Sequence, residues 1–258
     1  MRRFICILQF LTRLPLPFKG EVDEEFHKGI LYFPLVGGVL GLCYGGIAFV
    51  SIRIFPAFIS SLIILLSMVL LTGGLHLDGV GDTFDGLYSY RDKARILEIM
   101  KDSRLGTNAL LAIFFVLLFK LGFIYEAIVQ GALWRLWIMP IMGRWLLVNA
   151  CYKTQSPREK GMGNLFIGKA SLFMLVGATT YTLLVCGGIL SIWKLPLKFY
   201  GIQVGVMFFL FLGLKGAIYS VYRKIDGLTG DILGAICEMG ELMYLVFIYI
   251  GIQVSQWV

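Results

Sequence analysis

The chain is predicted to fold as an all-α, polytopic membrane bundle of about seven transmembrane helices with a short N-terminal interfacial helix, and three observations carry that prediction. Hydrophobic residues fill 58% of its 258 positions and charged residues only 15%, with a mean hydropathy of +0.82, so lipid is the natural solvent for most of it. Apolar windows recur at about the 20-residue length that a helix needs to cross a bilayer core. Outside those windows Lys and Arg fall on alternating sides, sixteen against three.

The elements follow in order. The first stretch starts basic and carries Phe4, Ile5, Leu8, Leu11 and Leu14 at helical spacing beside Arg2, Arg3 and Arg13, which predicts a helix lying on an anionic leaflet. No small-residue cleavage site follows it, so it is expected to be retained. The acids Glu21, Asp23, Glu24 and Glu25 then read as a solvated face. Spans are expected near 30–52, 57–75, 107–129, 132–152, 170–193, 199–221 and 240–257. In the first, Gly37, Gly41 and Gly45 recur every four residues, a spacing that lets another helix pack closely. Of the bases outside the spans, only Arg53, Lys194 and Lys198 lie on the minority side. The bias therefore puts the N-terminus and three polar segments, about 73–106, 153–169 and 222–241, in the cytoplasm, as parts of one integral-membrane domain, 1–258. Juxtamembrane bases account for the net charge of +7, and no nucleic-acid partner is implied.

Several chemistries are excluded early. Cys6, Cys43, Cys151, Cys186 and Cys237 are scattered through apolar runs, and with only His27 and His76 in the chain no zinc site is expected. There is no Walker A loop and no GxSxG sequence.

The acids are concentrated. Ten of the sixteen sit in two places: Asp78, Asp82, Asp85, Asp92, Glu98 and Asp102 in one, Asp226, Asp231, Glu238 and Glu241 in the other. On a helix from Leu77, Asp78, Asp82 and Asp85 stand at i, i+4 and i+7 and form a stripe. Asp231, Glu238 and Glu241, at i, i+7 and i+10, form a second. Three carboxylates in mid-membrane would cost about 8 to 10 kcal/mol on the translocon scale, and a bound divalent cation would relieve that cost. Hard oxygen ligands without His or Cys select Mg²⁺ or Mn²⁺. Gly79, Gly81 and Gly86 between the acids favour close approach by a ligand or a neighbouring backbone.

Bases accompany the first stripe. Arg91, Lys101 and Arg104 follow it, and RILEIMKDSR reads as an amphipathic helix in which Arg95 and Glu98 pair. Arg104 is the best phosphate candidate of the group, its planar fork being suited to bidentate contact. Asn164 and Lys169 sit in a second polar segment, in GNLFIGKAS. Among charges within spans, Arg144 is expected to face a partner or a cavity, while Lys120, Arg135 and Lys215 snorkel or pair.

The blocks TGGLHLDGVGDTFDG, ILEIMKDSRLGTNA, GNLFIGK and LTGDILGAICEMGEL, with TRLP near the start, strongly resemble the cobalamin synthases, or adenosylcobinamide-GDP ribazoletransferases, over about residues 8–247. That resemblance implies a multi-pass, Mg²⁺-dependent inner-membrane enzyme of late cobalamin assembly, with other cobalamin-assembly enzymes as candidate partners. In the implied reaction adenosylcobinamide-GDP and α-ribazole, or its 5′-phosphate, give adenosylcobalamin, or its 5′-phosphate, and GMP. On this reading Asp82, Asp85, Asp231 and Glu238 hold the metal with Asp78 in the same stripe, and Glu241 or His76 takes the proton from the attacking hydroxyl. Arg91, Lys101, Arg104 and Lys169 carry the diphosphate, with Arg144 and Asn164 as further substrate-binding residues. A weaker likeness runs from Asp82-Thr-Phe-Asp85-Gly86 and Arg91 to the CDP-alcohol phosphotransferases, although the base comes one position late and the later half of that motif is missing. A membrane phosphotransferase of that kind, and less readily a transporter, are the competing readings.

Overall fold

In a computed structural model that describes residues 2–16 and 25–256, helices account for all the regular structure, and no strand occurs among the described residues. Glu21, Asp23 and Glu24 lie outside that range. The helices are α1 (Arg2–Leu11), α2 (Phe33–Ile54), α3 (Ala57–Thr72), α4 (Leu75–Leu87), α5 (Lys93–Ile99), α6 (Thr107–Val129), α7 (Trp134–Ala150), α8 (Leu172–Ile192), α9 (Lys198–Ile225) and α10 (Gly230–Val254). Two 3₁₀ turns, Phe26–Tyr32 and Met162–Leu165, precede α2 and α8.

Each expected span falls on a helix, but the count changes. Five stretches are long and apolar enough to cross a membrane by themselves, and six if α3 and α4, bent by 87°, are taken as one broken span. The shortfall from seven has a physical reason. At 16 and 17 residues, α3 and α7 fall below the roughly 20 needed for a full crossing. Helix α7 does not need a lipid-facing surface, because every residue in it except Trp137 is buried by its neighbours, Arg135 and Arg144 included. It is the central helix of the bundle.

The α2 glycines do what their spacing predicts. A side chain on Gly37 or Gly41 would run into the backbone of Pro140 and Trp137 on α7, and one on Gly45 into the Trp137 indole. The two helices therefore touch backbone to backbone. At the N-terminus α1 buries Ile7, Leu8 and Leu11, and Leu14 lies just beyond its end.

The sharp joint between α3 and α4 is made by Gly73 and Gly74, both left-handed at φ 63° and 70°, a conformation that costs glycine nothing. It swings α4 out of line with α3 and across one end of the bundle. There Gly79 lies under the Asp231 carbonyl and against Gly234 in the first turns of α10, while Gly81 faces Ala109 and Ile113 in the first turns of α6. Gly86 leaves room for Met100. Helix α4 thus packs across one end of the bundle, between α6 and α10.

The three polar segments meet at that end. Lys93 Nζ pairs with Asp226 at 2.7 Å, and Lys224 Nζ donates to the Leu87 carbonyl at 2.7 Å. Gln155 N donates to the Tyr222 hydroxyl at 2.7 Å and receives Leu228 N on its carbonyl at 2.9 Å. The amphipathic helix is shorter than expected. Asp92 caps it by accepting from Arg95 N at 3.0 Å, and it ends at Ile99, leaving Lys101 to Arg104 in a turn.

Candidate active site

A cavity of about 230 Å³ opens in the end layer between α1, α2, α4, α10 and the 161–166 turn. Burial separates its walls. Leu11, Phe33, Leu147 and Phe166 are no more than 3% exposed and form an apolar floor, whereas Asp78 is exposed and Arg158, Asn164 and Asp231 are half-buried at the rim. Close helix crossing makes this possible: the glycine contacts of α4 with Asp231 and Gly234 bring carboxylates from two distant parts of the chain to one rim.

Each rim residue has a local cause. Thr229 caps α10 by accepting from Ile232 N at 3.3 Å, which leaves Asp231 in the first turn, where the helix end favours negative charge. Arg158 donates to Asp231 Oδ2 at 2.9 Å, and Asn164 Nδ2 donates to the Arg158 carbonyl at 2.8 Å. Asp82, half-buried on the next turn of α4 from Asp78, is short of positive charge. Burial, and then the neighbouring Asp78 and Asp231, push its carboxyl up to about 7, with Arg158 opposing them. Asp85 has a different occupation. Its two oxygens accept from Gly106 N at 2.7 Å and Ala109 N at 2.9 Å, so it caps α6.

The second acidic stripe divides. Asp231 faces the cavity, but Glu238 and Glu241 are 5% and 3% exposed inside the bundle. Lys120 Nζ donates to Glu238 and, at 2.6 Å, to Glu241; Arg144 donates to the other Glu241 oxygen. Two anions and two cations thus neutralise one another away from lipid. Arg144 also reaches His76 Nδ1 at 3.4 Å. A guanidinium only donates, so Nδ1 is the acceptor and the neutral ring carries its hydrogen on Nε2. His76 lines the cavity as well, and it joins the buried network to the rim.

The remaining expected residues lie apart from the cavity. Arg104, with 86% of its side chain exposed, binds its neighbour Asp102 through Nε at 3.0 Å, and that bond holds the Asp102 carboxyl down to about 2. Arg95 pairs with Glu98 at 2.5 Å, as their spacing predicts. Arg91, Lys101 and Lys169 are exposed side chains outside the cavity wall.

The donor chemistry of the rim fits a hard cation. Among the described residues Arg158 pairs with Asp231, while Asp78 and Asp231 both act to raise the Asp82 carboxyl. Among the described residues no three His, Cys, Asp or Glu side chains form a ready metal cage. A Mg²⁺ bound here would have to complete its shell with water and substrate phosphate oxygens.

Sequence reasoning did not single out Arg158 or Phe166, and it expected Lys120 to snorkel or pair without naming its partners. Arg158 counted only as an orientation charge, although it stands in a glycine-punctuated turn beside Asn164. Lys120 was open to the same rule as Arg144: a lone charge deep in an apolar span needs a partner. Phe166 carried no sequence signal, since an apolar residue in a polar segment gains meaning only when Phe10 and Phe33 are folded against it.

The family model for cobalamin-5-phosphate synthase matches residues 3–249. An adenosylcobinamide-GDP ribazoletransferase of Clostridioides difficile (strain 630) is 53% identical over 255 residues, covering 97% of this chain and 98% of the relative. Proteins of that name from Alkaliphilus metalliredigens (strain QYMF) and Citrobacter koseri (strain ATCC BAA-895 / CDC 4225-83 / SGSC4696) are 47% and 39% identical, over 96% and 94% of this chain and 95% and 97% of theirs. No solved structure matches.

Proposed function

The chain belongs to the cobalamin-5-phosphate synthase family, and from that footing we propose that the carboxylate-rimmed cavity at the end of the bundle is where its phosphoryl transfer takes place. It is a multi-pass membrane transferase of cobalamin nucleotide-loop assembly, an adenosylcobinamide-GDP ribazoletransferase like its relatives. The observation that supports the proposal is the excess of carboxylate over cation at Asp78, Asp82 and Asp231, the first and last of which line a cavity with an apolar floor while Arg158 pairs with Asp231.

The acceptor is α-ribazole or its 5′-phosphate. One of its ribose hydroxyls attacks the phosphorus bonded to cobinamide, and GMP leaves from the former diphosphate. Asp78, Asp82 and Asp231 would hold Mg²⁺, or Mn²⁺, which when bound offsets the charge of that diphosphate. Arg158 presents its fork to a phosphate from the rim. Glu241, tied to two cations, is poorly placed to take a proton, and His76 turns its basic nitrogen to Arg144. The hydroxyl proton therefore passes to the rim carboxylates, while the His76 N–H donates a hydrogen bond. Asp85 supports the site by holding the start of α6 against α4.

The charge bias supports a cytoplasmic reading for this end and the N-terminus, and the inner membrane is what the family resemblance implies. The bilayer is the setting, and soluble cobalamin-assembly enzymes are the fitting partners for a site at that face. The test uses the full chain in liposomes with adenosylcobinamide-GDP, α-ribazole and Mg²⁺. GMP is released by the parent, and its release collapses in Asp231→Asn. Normal turnover in that variant at saturating Mg²⁺ would overturn the assignment of the rim.

A further inference from the structure

We infer that the phenylalanine-floored part of this cavity is the subsite for the acceptor's heterocycle, and that Phe166 is its main recognition surface. The inference rests on the functional reading above and adds which of the two substrates the cavity seats.

Three observations carry it. First, size: about 230 Å³ is below the roughly 300 Å³ at which ordinary small-molecule pockets begin, so it admits one flat heterocycle and its sugar but not a corrin ring. Second, the floor is hydrocarbon. Phe166 lies 5.3 Å from Phe10 and 5.1 Å from Phe33 between ring centroids, both edge-on, and Leu11 and Leu147 complete the wall. A benzimidazole carrying only ring nitrogens loses little in such a place. The guanine of the donor has more edge groups to satisfy, and the floor formed by Leu11, Phe33, Leu147 and Phe166 offers its edge no side-chain partner. Third, position: the floor continues directly into the rim of Asp78, Asp231 and Arg158, so a nucleoside seated with its base inward presents its sugar to the groups that handle phosphate. The two other grooves, one lined by Leu35, Leu42 and Trp137, the other by Leu111, Phe115 and Phe119, contain no charged residue and cannot make that connection.

The cavity thus orders the substrates by chemistry. The acceptor base goes inside, and the corrinoid and guanosine remain outside the rim.

Steady-state kinetics on the full chain in liposomes, following GMP, test this. Phe166→Ala raises KM for α-ribazole about tenfold, the loss expected for one buried aromatic contact, and moves KM for adenosylcobinamide-GDP by less than about twofold. Phe166→Leu, which keeps bulk but not the ring face, gives the same pattern with a smaller rise and guards against a folding failure of the alanine variant. In the parent protein, free benzimidazole inhibits competitively against α-ribazole and not against the donor. Competition by benzimidazole with the donor, a KM effect confined to the donor, or no inhibition together with an unchanged α-ribazole KM in Phe166→Leu would each overturn the subsite. If the parent releases no GMP at all, the functional reading fails, and the subsite falls with it.

Discussion

Two acidic groups lie close together in this protein and are treated in opposite ways. Glu238 and Glu241 are buried within the bundle and fully met by Lys120 and Arg144. Asp78 and Asp231 line the rim of a cavity, Asp82 lies one turn further along α4, and Arg158 pairs with Asp231; burial and its acidic neighbours push Asp82 up to about 7. The buried group is complete without a ligand. The rim group is not, and on the proposed reading that difference separates carboxylates that hold the bundle together from carboxylates kept for substrate and metal.

The largest effect should come from unbalancing the complete group. Lys120→Met leaves two buried carboxylates with only Arg144 and should cost about 3 to 5 kcal/mol of stability, with part recovered when Glu238→Gln is added. Thermal unfolding in detergent reads this, and a single variant as stable as the parent would break the contrast.

Changing the incomplete group should act on turnover instead. Asp82→Asn is expected to lower kcat/KM by roughly a hundredfold, about 2.7 kcal/mol in the barrier, with little loss of stability.

A pH experiment sharpens the point. Because the folded Asp82 value lies above that of an ordinary carboxylate, the contribution of Asp82 to the stability of the metal-free protein is fully present below the ordinary carboxylate range and is lost as pH rises through about 7. Melting curves in chelator should show that fall, Mg²⁺ should reverse it at the alkaline end, and Asp82→Asn should remove it. The smallest effect is expected at Arg104, whose exposed pair with Asp102 lies outside the cavity; Arg104→Ala should alter kcat/KM by no more than about twofold.

The two groups also show how far the sequence carries. Helical spacing placed Asp78 and Asp82 on one face, and the glycines around them do serve close approach to α10. Spacing also put Asp231, Glu238 and Glu241 on one face, and there it stopped. Whether a stripe meets solvent or a neighbour depends on where α4, α6 and α7 cross α10, and Lys120 on α6, far away in sequence, decides the matter. The expected span at 132–152 shows a related limit: α7 is short and buried on nearly every side, so hydropathy tuned to lipid contact does not describe it. Arg158 was overlooked because its partner Asp231 is 73 residues away.

The most direct test is cation binding. Mn²⁺ binding to the full chain in detergent, followed by electron paramagnetic resonance, should weaken at least about tenfold in Asp78→Asn/Asp82→Asn and stay within about twofold of the parent in Glu238→Gln. Binding lost in Glu238→Gln and retained in the rim variant would contradict the account.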